Sequence, residues 1–136
     1  MIRGLLTALM VGTGLLLASA GASAHHSVSG EFDENKPIEF TGTVKGVQWT
    51  NPHMYTQVEA KDPSGKLQVW RVEGGAPNSL YRNGWRRDTL KPGTVVVFKG
   101  VRGNAADSVN VHGELFLEDG TTKLWVGRIP ETLAAR

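Results

Sequence analysis

Apolar and polar positions alternate along most of the chain beyond residue 37. Ile38, Phe40, Gly42 and Val44 share one parity, which predicts a strand over 38–49. The apolar parity then passes to Val47 and Trp49. That slip of one residue near Gly46 predicts a bulge that bends a long first strand. Thr50-Asn51-Pro52 ends the strand in a turn. A second strand is predicted over about 53–60 and a third over 67–73, joined by the turn Asp62-Pro63-Ser64-Gly65. Gly74-Gly75-Ala76-Pro77 opens a short helix over 77–83, with Pro77 at the first helical position and Gly84 past its end. Leu90-Lys91-Pro92-Gly93 has Pro and Gly where a type II turn takes them. It leads into an apolar strand over 94–102, through Val95-Val96-Val97-Phe98. Residues 108–118 alternate again, with Val109, Val111, Leu115 and Leu117 on one face, and Asp119-Gly120 predicts a hairpin into 122–127. Residues 25–37 read as a polar N-terminal arm and 128–136 as a frayed tail.

Three strands, one short helix and two or three further strands predict an all-β domain. The layout is that of a small OB-like barrel of five to six strands, with the helix between strands 3 and 4. A small sandwich is the competing arrangement. Neither fold assigns a function by itself.

The start of the chain breaks the pattern. Arg3 precedes an uncharged apolar run from Leu5 to Leu17, and small residues continue to Ala22-Ser23-Ala24. This is the layout of a secretory signal peptide over 1–24 with an A-x-A cleavage site. The run is short for a membrane span of roughly 20 residues, so no membrane association is expected after cleavage. Ala18-Ser19-Ala20 offers an alternative site, and cleavage after Ala24 is preferred because Ala20 lies only three residues beyond Leu17. The expected product is a single domain over 25–136, exported to the periplasm.

At 136 residues the chain has room for one domain, and a multidomain enzyme is excluded. It has no Cys, which removes disulfides, thiolate metal sites, cysteine nucleophiles and a lipoprotein anchor. Its net charge of +2, spread along the chain, makes no case for nucleic acid. No G-x-S-x-G, P-loop, H-E-x-x-H or Rossmann glycine pattern occurs, and no carboxylate pair stands out for glycoside chemistry. A non-enzymatic role is expected.

The candidate chemistry lies in four histidines, His25, His26, His53 and His112. Cleavage after Ala24 would make His25 the first residue, offering its α-amine and ring Nδ1 to one metal. An imidazole from elsewhere would complete a T-shaped set of three nitrogens, a histidine brace, and such a tetragonal nitrogen set suits Cu(II). His53, just beyond the Asn51-Pro52 turn, is the candidate third ligand. His26 offers a competing chelate through the terminal amine and the intervening amide, which needs no folded site. Met54 would be a soft axial ligand, but strand parity places it opposite His53. His53 reads equally well as a loop histidine bonded to its own turn. His112 shares a face with Asn110 and Glu114, away from the apolar parity, and reads as a surface residue.

A second feature is the basic, aromatic run Tyr81, Arg82, Trp85, Arg86 and Arg87 around the helix. It would suit an anionic ligand or a protein partner. The opposing reading has Leu80 and Trp85 plug the barrel end while the arginines face water. The acidic residues Glu31, Asp33 and Glu34 read as a solvated run.

His25-His26-Ser27, Glu31-Phe32-Asp33, Gly42-Thr43-Val44, Trp49-Thr50-Asn51-Pro52-His53 and the run Gly84-Trp85-Arg86-Arg87-Asp88-Thr89-Leu90-Lys91-Pro92-Gly93 together resemble one family. It is a family of small exported bacterial proteins classed as a domain of unknown function. The resemblance spans about 25–127 and implies a soluble periplasmic location in a Gram-negative bacterium. It implies no activity. Two positions depart from the family pattern. Val28 comes after Ser27 where an aromatic is usual, and Met54-Tyr55 comes after His53 where Ala-Trp is usual. Both departures leave the candidate ligands in place. Two functions are therefore expected to compete. One is a periplasmic copper-binding protein using His25, His53 and His26. The other is an OB-like interaction module using Tyr81, Trp85, Arg86 and Arg87.

Overall fold

The computed structural model describes residues 28–134. The expected signal peptide, His25 and His26 lie outside the described residues. A single turn, α1 (Val28–Glu31), leads into the 17-residue strand β1 (Phe32–Gln48). Next come β2 (Tyr55–Lys61), β3 (Leu67–Glu73), the short helix α2 (Pro77–Arg82), β4 (Val95–Gly103), β5 (Asn110–Leu117) and a last turn, α3 (Glu131–Ala134). The strands close on themselves in the order β1-β2-β3-β5-β4, with β4 paired back to β1. All ladders are antiparallel except the short β3–β5 pairing, Arg71 with Asn110 and Val72 with Val111. The molecule is thus mostly β, with one helix between the third and fourth strands, as the spacing of apolar runs predicts.

β1 serves both neighbours because it is long and bent. Its second half pairs with β2, and the register shifts between Val44 and Gly46, where the apolar parity slips in the sequence. Towards β4 the ladder runs from Thr43 back to Pro37, breaks, and resumes at Asp33 and Phe32. Residues 32–37 are therefore strand and not arm. The polar stretch Glu34-Asn35-Lys36 bulges out, Pro37 lacks an N–H for the ladder, and Phe32 beyond them is buried again.

One continuous apolar cluster fills the molecule. Inside the ring, Phe40 stacks between Trp70 (5.5 Å) and Phe98 (5.0 Å), among Ile38, Val44, Val58, Val72, Val96, Val111 and Leu115. At one end, Trp85 packs on Trp125 at 4.7 Å between ring centres, with Leu80, Leu90, Leu124 and Leu133 around them. α2 delivers this plug. Pro77 occupies its first turn, Gly84 comes after it at φ +93°, and the Leu80 carbonyl accepts from the amides of Asn83 and Trp85. Both indoles are satisfied. Trp85 Nε1 donates to the Gly127 carbonyl (3.0 Å) and Trp125 Nε1 to the Thr56 hydroxyl (2.9 Å).

The chain beyond residue 121 departs from expectation in two ways. The Asp119-Gly120 turn forms, but the segment after it makes only a single bridge, Phe116 with Lys123, before leaving the sheet. The strand ends because Leu124 and Trp125 turn inward to cover the plug, Trp125 at φ +59°. The described part of 128–136 is docked. The Ile129 amide donates to the Asn83 carbonyl, and Leu133 is buried. Among the described residues, no helix is long and apolar enough to cross a membrane.

Candidate functional site

Strand parity sets the site on the outside of the ring. Thr56, Val72 and Val111 point inward, so Tyr55, Arg71, Glu73, Asn110 and His112 point outward on three neighbouring strands. Tyr55 lies across from Glu73 in the β2–β3 ladder. Arg71 lies beside Asn110 in the parallel β3–β5 pairing, so the next outward residues along those strands, Glu73 and His112, come side by side. His53 reaches the same place from the loop before β2. Its neighbour Met54 is tied to the loop just beyond β3 by two backbone bonds, Gly74 N–H to the Met54 carbonyl (2.9 Å) and Met54 N–H to the Gly75 carbonyl (3.2 Å).

Glu73 is the centre of the cluster. Its side chain is 14% exposed, while those of His53 and His112 are 40% and 41% exposed. Oε1 lies 3.0 Å from His53 Nδ1, and Oε2 lies 4.0 Å from His112 Nδ1. His53 Nδ1 also lies 3.2 Å from the Gly74 carbonyl oxygen. Both neighbours of that nitrogen only accept, which assigns a proton to Nδ1; in the neutral ring Nε2 then carries the lone pair. His112 Nδ1 is buried and forms no hydrogen bond. Nε2 of either ring has no hydrogen-bond partner among the described residues. The face of His112 packs on Phe32, with ring centres 5.2 Å apart.

The surroundings are polar and tightly tied. The Arg71 guanidinium stacks 4.3 Å over the Tyr55 ring and donates to Asn110 Oδ1 (3.2 Å). Burial raises the Tyr55 hydroxyl pKa above its ordinary value. Glu73 and Glu31 act in the same direction, against the lowering effect of Arg71. The start of the described chain is docked beside this face. Asn104 N–H donates to the Glu31 carbonyl (2.9 Å), Asn104 Nδ2 to the Gly30 carbonyl (3.0 Å), and Asn110 Nδ2 to Glu31 Oε1 (3.5 Å).

The expected ligands divide as their positions in the chain dictate. His53 sits in the cluster, whereas His25 and His26 lie outside the described residues. Met54 is fully buried, as parity requires, so its sulfur is not available at the surface. His112, read from sequence as a surface residue, does lie on the outer face, its side chain 41% exposed, with Nδ1 4.0 Å from the Glu73 carboxylate that also faces His53. Sequence reasoning missed Glu73. Its outward parity on the third strand was legible, but its neighbours depend on a parallel pairing that alternation does not encode. Among the described residues, no group of three or more His, Cys, Asp or Glu side chains is arranged to hold a metal ion by itself.

The basic, aromatic run around α2 separates into two parts. Trp85 is fully buried against Trp125, so its indole cannot form part of a contact surface. Tyr81, Arg86 and Arg87 are exposed. Arg86 is engaged locally, its Nη1 donating to the carbonyls of Trp85 (2.7 Å) and Tyr81 (3.1 Å) and its guanidinium stacked 3.8 Å over the Tyr81 ring. This is the arrangement in which the helix plugs the barrel end and its arginines face water.

The chain belongs to a family of unknown function (DUF6152), whose model matches residues 13–114. The matched span runs from before His25 to beyond His112 and includes Glu73. No curated protein matches the chain, and no solved structure does.

Proposed function

We propose that this member of a family without an assigned activity is an exported periplasmic copper-binding protein, cleaved after Ala24, that holds Cu(II) between its new N-terminus and His53. In this reading the α-amine and ring of His25 chelate the metal, and His53 Nε2 supplies the third nitrogen. His26 stands next to the chelate as a further imidazole. The role is binding or delivery rather than catalysis.

The observation that carries the reading is the state of the His53 ring. Metal-bound histidines commonly donate their second ring N–H to a carboxylate or a backbone carbonyl, which fixes the tautomer and the ring orientation. His53 has both kinds of acceptor at Nδ1, Glu73 at 3.0 Å and the Gly74 carbonyl at 3.2 Å, on a half-exposed ring. Chain reach supports the same reading. Three Cα–Cα steps separate His25 from Val28, at most about 11 Å of extended chain. Four residues beyond Val28, Phe32 packs against His112.

The test is a Cu(II) titration of the protein beginning at His25, beside the His53→Ala variant. The variant is expected to lose at least the roughly tenfold in affinity that even an outer partner of a metal ligand is worth. Equal affinity would mean that the terminus binds copper unaided and would contradict the proposal.

A further inference from the structure

The plug end carries arginines that no acidic side chain of the fold neutralises, and one of them is already fixed in place. We propose that Tyr81, Arg82, Arg86, Arg87 and Arg128 form a docking surface for an acidic segment of a partner protein, with a carboxylate seated on the free edge of the Arg86 guanidinium. The inference is independent of the copper reading above and uses none of its residues.

Three observations carry it. The first is the state of Arg86. Its Nη1 donates to the carbonyls of Trp85 (2.7 Å) and Tyr81 (3.1 Å), and its guanidinium lies 3.8 Å over the Tyr81 ring. Trp85 is fully buried, so the anchor belongs to the core. The side-chain entropy that binding an arginine usually costs is therefore already lost in the free protein. Nε and Nη2 form the other edge of the fork, and neither has a hydrogen bond or ion pair among the described residues. That edge matches the two oxygens of a carboxylate. The second is the charge around it. The Asn83 carbonyl accepts from the Ile129 amide and the Gly127 carbonyl from the Trp85 indole, which fastens the segment bearing Arg128 beside the one bearing Arg82 and Arg86. Arg82, Arg87 and Arg128 are exposed, and their side chains pair with no acid among the described residues. Asp88 and Glu131 lie in or next to the same segments, exposed and equally unpaired. Elsewhere Lys36, Lys45, Lys99 and Lys123 each hold an acidic neighbour. The arginines outnumber their acidic neighbours, so the complementary charge has to come from another molecule. The third is residue type. A diffuse attraction to an anionic surface needs charge alone, which lysine supplies, whereas arginine recognises planar, bidentate oxyanions. Tyr81, 57% exposed beside the fork, adds the apolar contact that a peptide uses and a small anion does not.

The experiment titrates the purified exported protein, without copper, with a hexaglutamate peptide. It follows the Arg86 Nε–H signal by nuclear magnetic resonance and measures peptide affinity at low and high salt. The Arg86 signal is expected to shift, and affinity to fall as salt rises. Arg86→Lys keeps the charge and loses the fork, and is expected to bind the peptide about tenfold more weakly. Circular dichroism reports the fold of that variant. The double variant Arg87→Gln/Arg128→Gln removes no contact within the fold and is expected to weaken binding by a similar factor. Phosphatidylglycerol vesicles and inorganic phosphate are the comparison probes. An unmoved Arg86 signal overturns the proposal, and so does wild-type affinity in the double variant or in folded Arg86→Lys. Binding to the vesicles without binding to the peptide would make the patch a membrane contact instead. Phosphate bound as tightly as the peptide would make it a site for small anions only. Either result contradicts a docking surface for an acidic segment.

Discussion

Single side chains in this protein are held by short-range contacts, and Asp119 shows how. Its carboxylate accepts from the Thr121 and Thr122 amides (2.7 Å each) and from the Thr122 hydroxyl (2.6 Å). Those bonds, that from the Thr122 side chain foremost, bring its pKa from the ordinary 3.8 to about 2. A carboxylate with a lowered folded-state pKa contributes stability that is fully present above its unfolded value. That contribution is lost as pH falls through the folded value. Asp119→Asn is therefore expected to melt below wild type at neutral pH, with the gap narrowing as pH falls from about 4 to about 2. Thermal melts across that range check it, and a gap that stays constant would contradict it. The same scale explains why His53 was legible in the sequence and Glu73 was not. A histidine after an Asn-Pro turn stands out by its chemistry. A glutamate at the end of a strand stands out only once the strands beside it are known.

At the scale of elements, alternation and turn residues located all five strands and the helix. They also located the bulge near Gly46, because each arises from local periodicity or backbone preference. The failures share one physical cause. Residues 32–37, 122–127 and 128–134 take their structure from distant partners: β4 for the first, and the Trp85–Trp125 plug for the others. No local pattern encodes those contacts. The β4–β5 crossing beside His112 is a further case. Gly100 and Gly113 face each other there, and a Cβ on Gly100 would fall 2.6 Å from Phe98 Cζ and 2.9 Å from Gly113 Cα. Gly100→Ala is expected to cost about 1–3 kcal/mol, the range for overpacking a filled interior. Chemical denaturation measures this, and a neutral effect would show that the crossing has slack.

Taken whole, the molecule is a closed ring of strands plugged at one end by α2 and the C-terminal turns. Closure brings β3 and β5 together, and with them Glu73 and His112, which are far apart in the chain. The same closure sets α1 beside the β4–β5 loop, where Asn104 donates to the carbonyls of Gly30 and Glu31. Around the plug, Arg86 Nη1 is spent on local contacts with the Trp85 and Tyr81 carbonyls, while Arg82 and Arg87 are exposed. The central claim is that the exported chain starts at His25 and retains copper there. The most direct measurement is the intact mass of the protein recovered from periplasm with Cu(II) present, first native and then denatured. The expected result is a denatured mass for residues 25–136 and one copper retained in the native spectrum. A denatured mass for residues 21–136 would place His25 inside the chain, and a native spectrum without copper would leave the cluster unloaded; either result would contradict the claim.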